Sequence, residues 1–279
     1  MATGKGQAVA PVTAEGQLPV GYDLQDIMAD AGVGSADMGA GDLGIPYLSL
    51  LQPGSPQIKP GHAKYIEGAR VGEWFNSATG ETFSGAITFV PCAYERKYVQ
   101  WHDRDLGEGG YVMDHPIDSD IMSKTAKNAK GQPCLPDQGH DLIIETAYQY
   151  GLMQNPNTGR WDQVVMPLKS TALKANRRMN NLIAGSTIPG TQMQAPRWLF
   201  PFTLSTALES RGQNSWYTPV PEKQPEPVSA EVYQAGKQFN SMFQAGLVSR
   251  ANEGDLAEGS TTSTSAGERA GPGDDEVPY

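Results

Sequence analysis

The clearest pattern in the chain is an alternation that begins at residue 142. Leu142, Ile144, Thr146, Tyr148 and Tyr150 fall on one face, and Ile143, Glu145, Ala147 and Gln149 on the other. A period of two is that of a strand. The turn residues Asn155-Pro156-Asn157-Thr158-Gly159 follow Met153, and a second apolar run from Arg160 to Leu168 completes a predicted hairpin. Shorter β-rich segments precede it: Glu73 to Asn76 before the turn Ser77-Ala78-Thr79-Gly80, Ala86 to Val90, and Tyr94 to Trp101. A further hairpin is predicted from Trp198–Leu208 through Arg211-Gly212-Gln213-Asn214 to Ser215–Thr218. Residues 103–139, rich in Gly, Pro and charge, read as a long surface excursion.

The period changes to that of a helix at two places. With Ser170 as N-cap and Gly185 as C-terminal stop, Ala172, Ala175, Met179 and Leu182 share one side of a helix reaching about Ala184. Lys174, Arg177, Arg178 and Asn181 share another side, and no acid lies between Thr171 and Gly185. A Pro-rich linker is predicted from Pro219 to Pro227. Ser229 then caps a second helix, to about residue 247, whose apolar stripe is Val232, Ala235, Phe239, Met242 and Phe243.

The two ends lack such patterns and are rich in Gly, Ala, Ser and acids. The expected organisation is a disordered arm over 1–42, a β-rich core over 43–220, a linker and amphipathic helix over 221–249, and a disordered acidic tail over 250–279. The net charge of -10 argues against nucleic acid until it is divided by segment. The core carries sixteen basic and fifteen acidic residues, and residues 160–211 seven basic against two acidic, so the acidity belongs to the arms. The opening residues carry no apolar signal core and no window is long enough to span a bilayer, so a cytoplasmic protein with no membrane partner is expected. Cys92 and Cys134 are expected to be reduced thiols, with one buried bridge left open.

Binding an unpaired strand requires cations for the backbone and aromatic faces for bases. The core interleaves both. Arg96, Lys97, Tyr98 and Trp101 form one set, Arg197 and Trp198 a second, and Trp216 and Tyr217 a third, with the helix face of Lys174, Arg177 and Arg178 beside them. At the C-terminus stands Asp274-Asp275-Glu276-Val277-Pro278-Tyr279. Its ring can enter an apolar pocket while its acids meet a basic rim. This ending resembles the protein-recruiting tip of bacterial single-stranded DNA-binding proteins, a run of Asp before Ile-Pro-Phe, with Glu276, Val277 and Tyr279 as departures. The segments Ile45 to Gln52, Trp74 to Glu81 and Val90-Pro91 through Trp101 are similar to phage proteins thought to bind single-stranded DNA.

That resemblance implies a mainly β fold, an OB-like β-barrel with one or two added helices; the strand pattern alone implies only a β-rich core with one helix between hairpins. It further implies a protein that coats single-stranded DNA in phage replication or recombination and recruits replication proteins through its tail. No cofactor, metal or catalysis is expected. Cys92, His102, His115, Cys134 and His140 lack the spacing of a metal site, and no phosphate-binding loop or nucleophile motif is present. Two competing readings are a phage structural or scaffolding protein and a metal-dependent nuclease built on Asp114, Asp118 and Asp120. Oligomeric state is not legible.

Overall fold

The computed structural model describes residues 44–251 apart from 104–105 and 107–108, together with Asp23, Gln25, Ala29, Asp30 and Val33. The acidic tip at Asp274 to Tyr279 and nearly all of both arms lie outside the described residues. The chain divides into two units, 1–42 and 43–279, and the second carries the architecture.

Three short strands, β1 (Leu48–Leu50), β2 (Trp74–Asn76) and β3 (Thr82–Phe83), form one antiparallel sheet in that order. Eight more form the main sheet: β4 (Ile87–His102), β5 (Gly110–Pro116), β6 (Ala126–Lys127), β7 (Pro133–Leu135), β8 (Asp141–Gln154), β9 (Trp161–Lys169), β10 (Phe202–Arg211) and β11 (Asn214–Lys223). This sheet curls into a half-barrel, and the fold is mainly β with two helices, α1 (Leu173–Ala184) and α2 (Ala230–Gln244).

Two long central strands carry the curl. β8 pairs with β4 along almost its whole length, while the other edge of β4 takes β10 near its start and β5 near its end. The register shifts between Pro91 and Ala93, a bulge that bends β4. Opposite this bend lies Gly151, where an added Cβ would approach the Val90 carbonyl to 2.3 Å. No larger residue fits that close crossing.

Both sheet faces are buried, which is why the alternation of 142–150 mixes large residues on its two sides. One core gathers Leu48, Trp74, Phe89, Met153, Met166, Leu168 and Phe202, covered by Met179 and Ile183 of α1. The other gathers Tyr47, Val90, Cys92, Tyr148, Tyr150 and Val165, covered by Val232 and Phe239 of α2. Cys92 and Cys134 are both free thiols and both buried.

The half-barrel is extended by the small sheet. The Val165 amide donates to the Pro46 carbonyl at 2.9 Å, so the segment entering β1 runs beside β9. Between β1 and β11 a side chain bridges the gap: the Gln52 carboxamide donates to the Tyr217 carbonyl at 2.9 Å and accepts from the Tyr217 amide at 2.8 Å. An amide side chain there takes the place of a neighbouring strand's backbone.

Several expectations are corrected. Ser170 does not cap α1; it has a φ of 52° and opens a 3-10 turn through Ala172, and the α-helix begins at Leu173. The linker is shorter than its prolines suggested, because β11 continues through Pro219 and Pro221 to Lys223. Proline is tolerated there because β11 is an edge strand, where missing amide hydrogens can face away from the neighbour. The excursion after residue 103 includes β5, β6 and β7 and buries Ile121 and Leu135. On α2, capped by Ser229 as expected, Ala235 is exposed and Gly236 takes the inward position. Residues 250 and 251, assigned to the tail by sequence, are held by the core: the Ala251 amide donates to the Ile45 carbonyl at 3.0 Å and Arg250 pairs with Asp114.

Candidate nucleic-acid interface

β1 and the loop after it, the end of β9 with its 3-10 turn, and the start of β11 enclose a cavity of about 260 Å³. Its walls are mostly apolar and include Leu48, Leu50, Trp74, Met166, Leu168 and Trp216. Local sequence explains the walls: β1 and β9 turn alternate apolar side chains toward the half-barrel interior, and the hairpin of β10 and β11 carries Trp216 and Tyr217 past them. The indole nitrogens of Trp74 and Trp216 are both buried and have no hydrogen-bond partner among the described residues.

Cations flank this cavity on two sides. Ala172 lines it, and α1 starts at the next residue with Lys174, Arg177 and Arg178 exposed. Lys174 Nζ lies 3.9 Å from Glu209 on β10, and Glu209 is the cross-strand partner of Trp216. The helix face is therefore not wholly free of acid, as its own sequence had suggested. At the hairpin end, exposed Arg211 pairs across the ladder with Asn214, another lining residue.

The other expected contacts lie elsewhere. Along the second half of β4, Arg96 is 3.2 Å from Glu145, and Lys97 is 3.4 Å from Glu95 and 3.5 Å from Asp114. Tyr98 is half-buried against Ile121, Leu135 and Ile143. Trp101 is buried, with the edge of Tyr111 at 5.8 Å and Lys169 Nζ 4.8 Å from its ring. All four lie on β4, Lys97, Tyr98 and Trp101 in its ladder with β5 and Arg96 opposite Ala147 of β8, and none lines the cavity.

Arg197 and Trp198 serve α1 and α2 instead. The Arg197 guanidinium donates to Gln149 and, at 2.9 Å, to Asn180, and lies 5.2 Å from the Tyr94 ring. Gln149 in turn donates to Asn176 at 2.7 Å, and Asn176 to the Tyr94 hydroxyl at 3.2 Å. Burial lowers the Arg197 pKa to about 10, a shift that the neighbouring Tyr94 and Cys92 oppose. This network fastens α1 to the sheet. Trp198 packs on α2 beside Tyr233 and Gly236. Sequence reading missed Gln52, Gln149, Asn176 and Asn180, since a polar residue at a buried position carries no local sign of its partner.

A second, more polar cavity of about 430 Å³ lies under residues 248–251, bordered by Glu95, Lys97, Tyr150 and Arg250. Arg250 stacks 4.0 Å from the Tyr148 ring. Of the histidines, His102 meets Asp141 at 2.8 Å and His115 meets Gln100 at 2.9 Å. No three His, Cys, Asp or Glu side chains gather as a metal site among the described residues. No described helix is long and apolar enough to cross a membrane.

The family model described as Pam3 phage gp34-like protein matches residues 13–249. No curated protein and no solved structure gives a match.

Proposed function

The chain belongs to the Pam3 phage gp34-like protein family, and from that premise we propose that it is a phage single-stranded DNA-binding protein. It coats unpaired DNA during replication or recombination, without chemistry of its own, and its C-terminal tip recruits replication proteins. One observation carries the reading: a cavity walled by Trp74 and Trp216 is lined by Lys169, has exposed Arg211 across the ladder from lining Asn214, and adjoins the turn that starts α1, whose outer face exposes Lys174, Arg177 and Arg178, in a chain whose net charge is -10. Cations held at such a place against the overall charge fit a polyanion with apolar faces.

The full chain is expected to bind oligo(dT) more tightly than duplex DNA of equal length, with affinity falling steeply as salt rises. Titration by fluorescence anisotropy at several salt concentrations measures both. Equal affinity for the two DNA forms, or none for either, removes the reading in favour of a structural or scaffolding role.

A further inference from the structure

We propose that the cavity between β1 and β11 is a base-capture site, receiving a base turned out of the bound strand; the proposal rests on the single-stranded DNA reading above. The form of the cavity supports this occupant. Its walls are apolar and aromatic, which suits the faces of a planar base. Trp74 and Trp216 stand among these aromatic walls.

Charge then separates a nucleotide from an apolar peptide. A base in the cavity carries its phosphates to the rim, and the rim is cationic on both flanks. Lys169 itself lines the cavity, and exposed Arg211 sits opposite lining Asn214. Of these cations, Arg211 is not paired with an acid among the described residues. An apolar peptide would gain nothing from them, whereas consecutive phosphates gain an electrostatic attraction at each.

Gln52 gives the cavity its position. By bonding both backbone groups of Tyr217, it holds the Trp216 segment against β1. The walls are thus in place before any ligand arrives, which lowers the ordering cost of binding.

The test uses the full chain and two oligonucleotides of equal length, oligo(dT) and one with abasic sugars throughout. Base capture predicts oligo(dT) to bind at least about tenfold more tightly, the worth of one stacked base. Trp216→Leu should bring the two affinities within about twofold while leaving the salt slope unchanged, because the phosphate contacts remain. Independently, oligo(dT) carrying 5-iodouracil should photo-cross-link the wild-type chain within residues 48–55, 74–75 or 214–219. That measurement decides the matter if the variant does not fold. Cross-links confined to other segments overturn the proposal and leave the cavity to a peptide, as does a Trp216→Leu protein that keeps the full preference for bases. If the wild-type chain binds both oligonucleotides equally, strand binding stands and base capture falls. If it binds neither, both fall.

Discussion

At the scale of single residues, the fold stores polar and ionisable groups in places that alter their chemistry. The Cys92 thiol is pushed up from 9.0 to about 12, chiefly by burial, with lowering effects of a Leu152 backbone hydrogen bond and of Arg197 too small to offset it. In the unfolded chain the thiol ionises near pH 9, whereas in the fold it stays protonated, so the folded state holds more protons as pH rises through that range. Stability must then fall. Between pH 9 and 10 this one group should cost about 1 kcal/mol, and Cys92→Ala should remove that loss. Urea denaturation of both proteins across the interval checks it; parallel pH profiles would count against a buried thiol. Arg197 acts in the opposite sense at higher pH. Because its folded pKa is lowered, the unfolded state binds more protons above about pH 10, and stability gains from its deprotonation there.

At the scale of elements, the two helices divide the labour. α2 seals one core face and depends on close contact: a Cβ on Gly236 would lie 2.9 Å from the Trp198 Cβ. Alanine favours a helix interior over glycine by about 1 kcal/mol, yet Gly236→Ala is expected to destabilise the protein by about 1–3 kcal/mol through overpacking. Thermal unfolding gives the sign directly. α1 has one face bound to the sheet through Ala175, Asn176, Met179 and Ile183, and another bearing Lys174, Arg177 and Arg178. Replacing these three by Ala should preserve the helix and reduce the salt slope of oligo(dT) binding by up to about three. An unchanged slope assigns that face to solvent or a protein partner.

At the scale of the whole molecule, the opposition between an acidic tail and a cationic cavity rim predicts competition. Residues 252–279 carry seven acids and one Arg, and the last described residue, Ala251, is anchored beside Ile45. Deleting 252–279 should raise single-stranded DNA affinity modestly, most clearly at low salt where attraction to the rim is least screened. Deleting only Val277, Pro278 and Tyr279 should leave DNA affinity almost unchanged, since every side-chain acid remains, while abolishing capture of replication proteins from lysate. Anisotropy titrations paired with pull-downs distinguish the two truncations. If the short deletion captures the same partners as the intact chain, the tip has no recruiting role.

Much of this architecture is local and therefore visible in the sequence. The hairpin of β8 and β9, with its Asn155 turn, follows from period-two alternation and turn chemistry. The Ser229 cap of α2 and the exposed cations of α1 follow in the same way from neighbours a few residues apart. What remained hidden depends on residues far apart in the chain. Nothing near Gln52 announces Tyr217, and Arg197 resembles any surface cation until Gln149 and Asn180 surround it. The cavity itself is built from four separate stretches between Leu48 and Pro219. Alternation determines that a strand has a buried face, but only the closing of the sheet decides which strands share an interior, because that choice rests on long-range pairing and on packing between distant side chains.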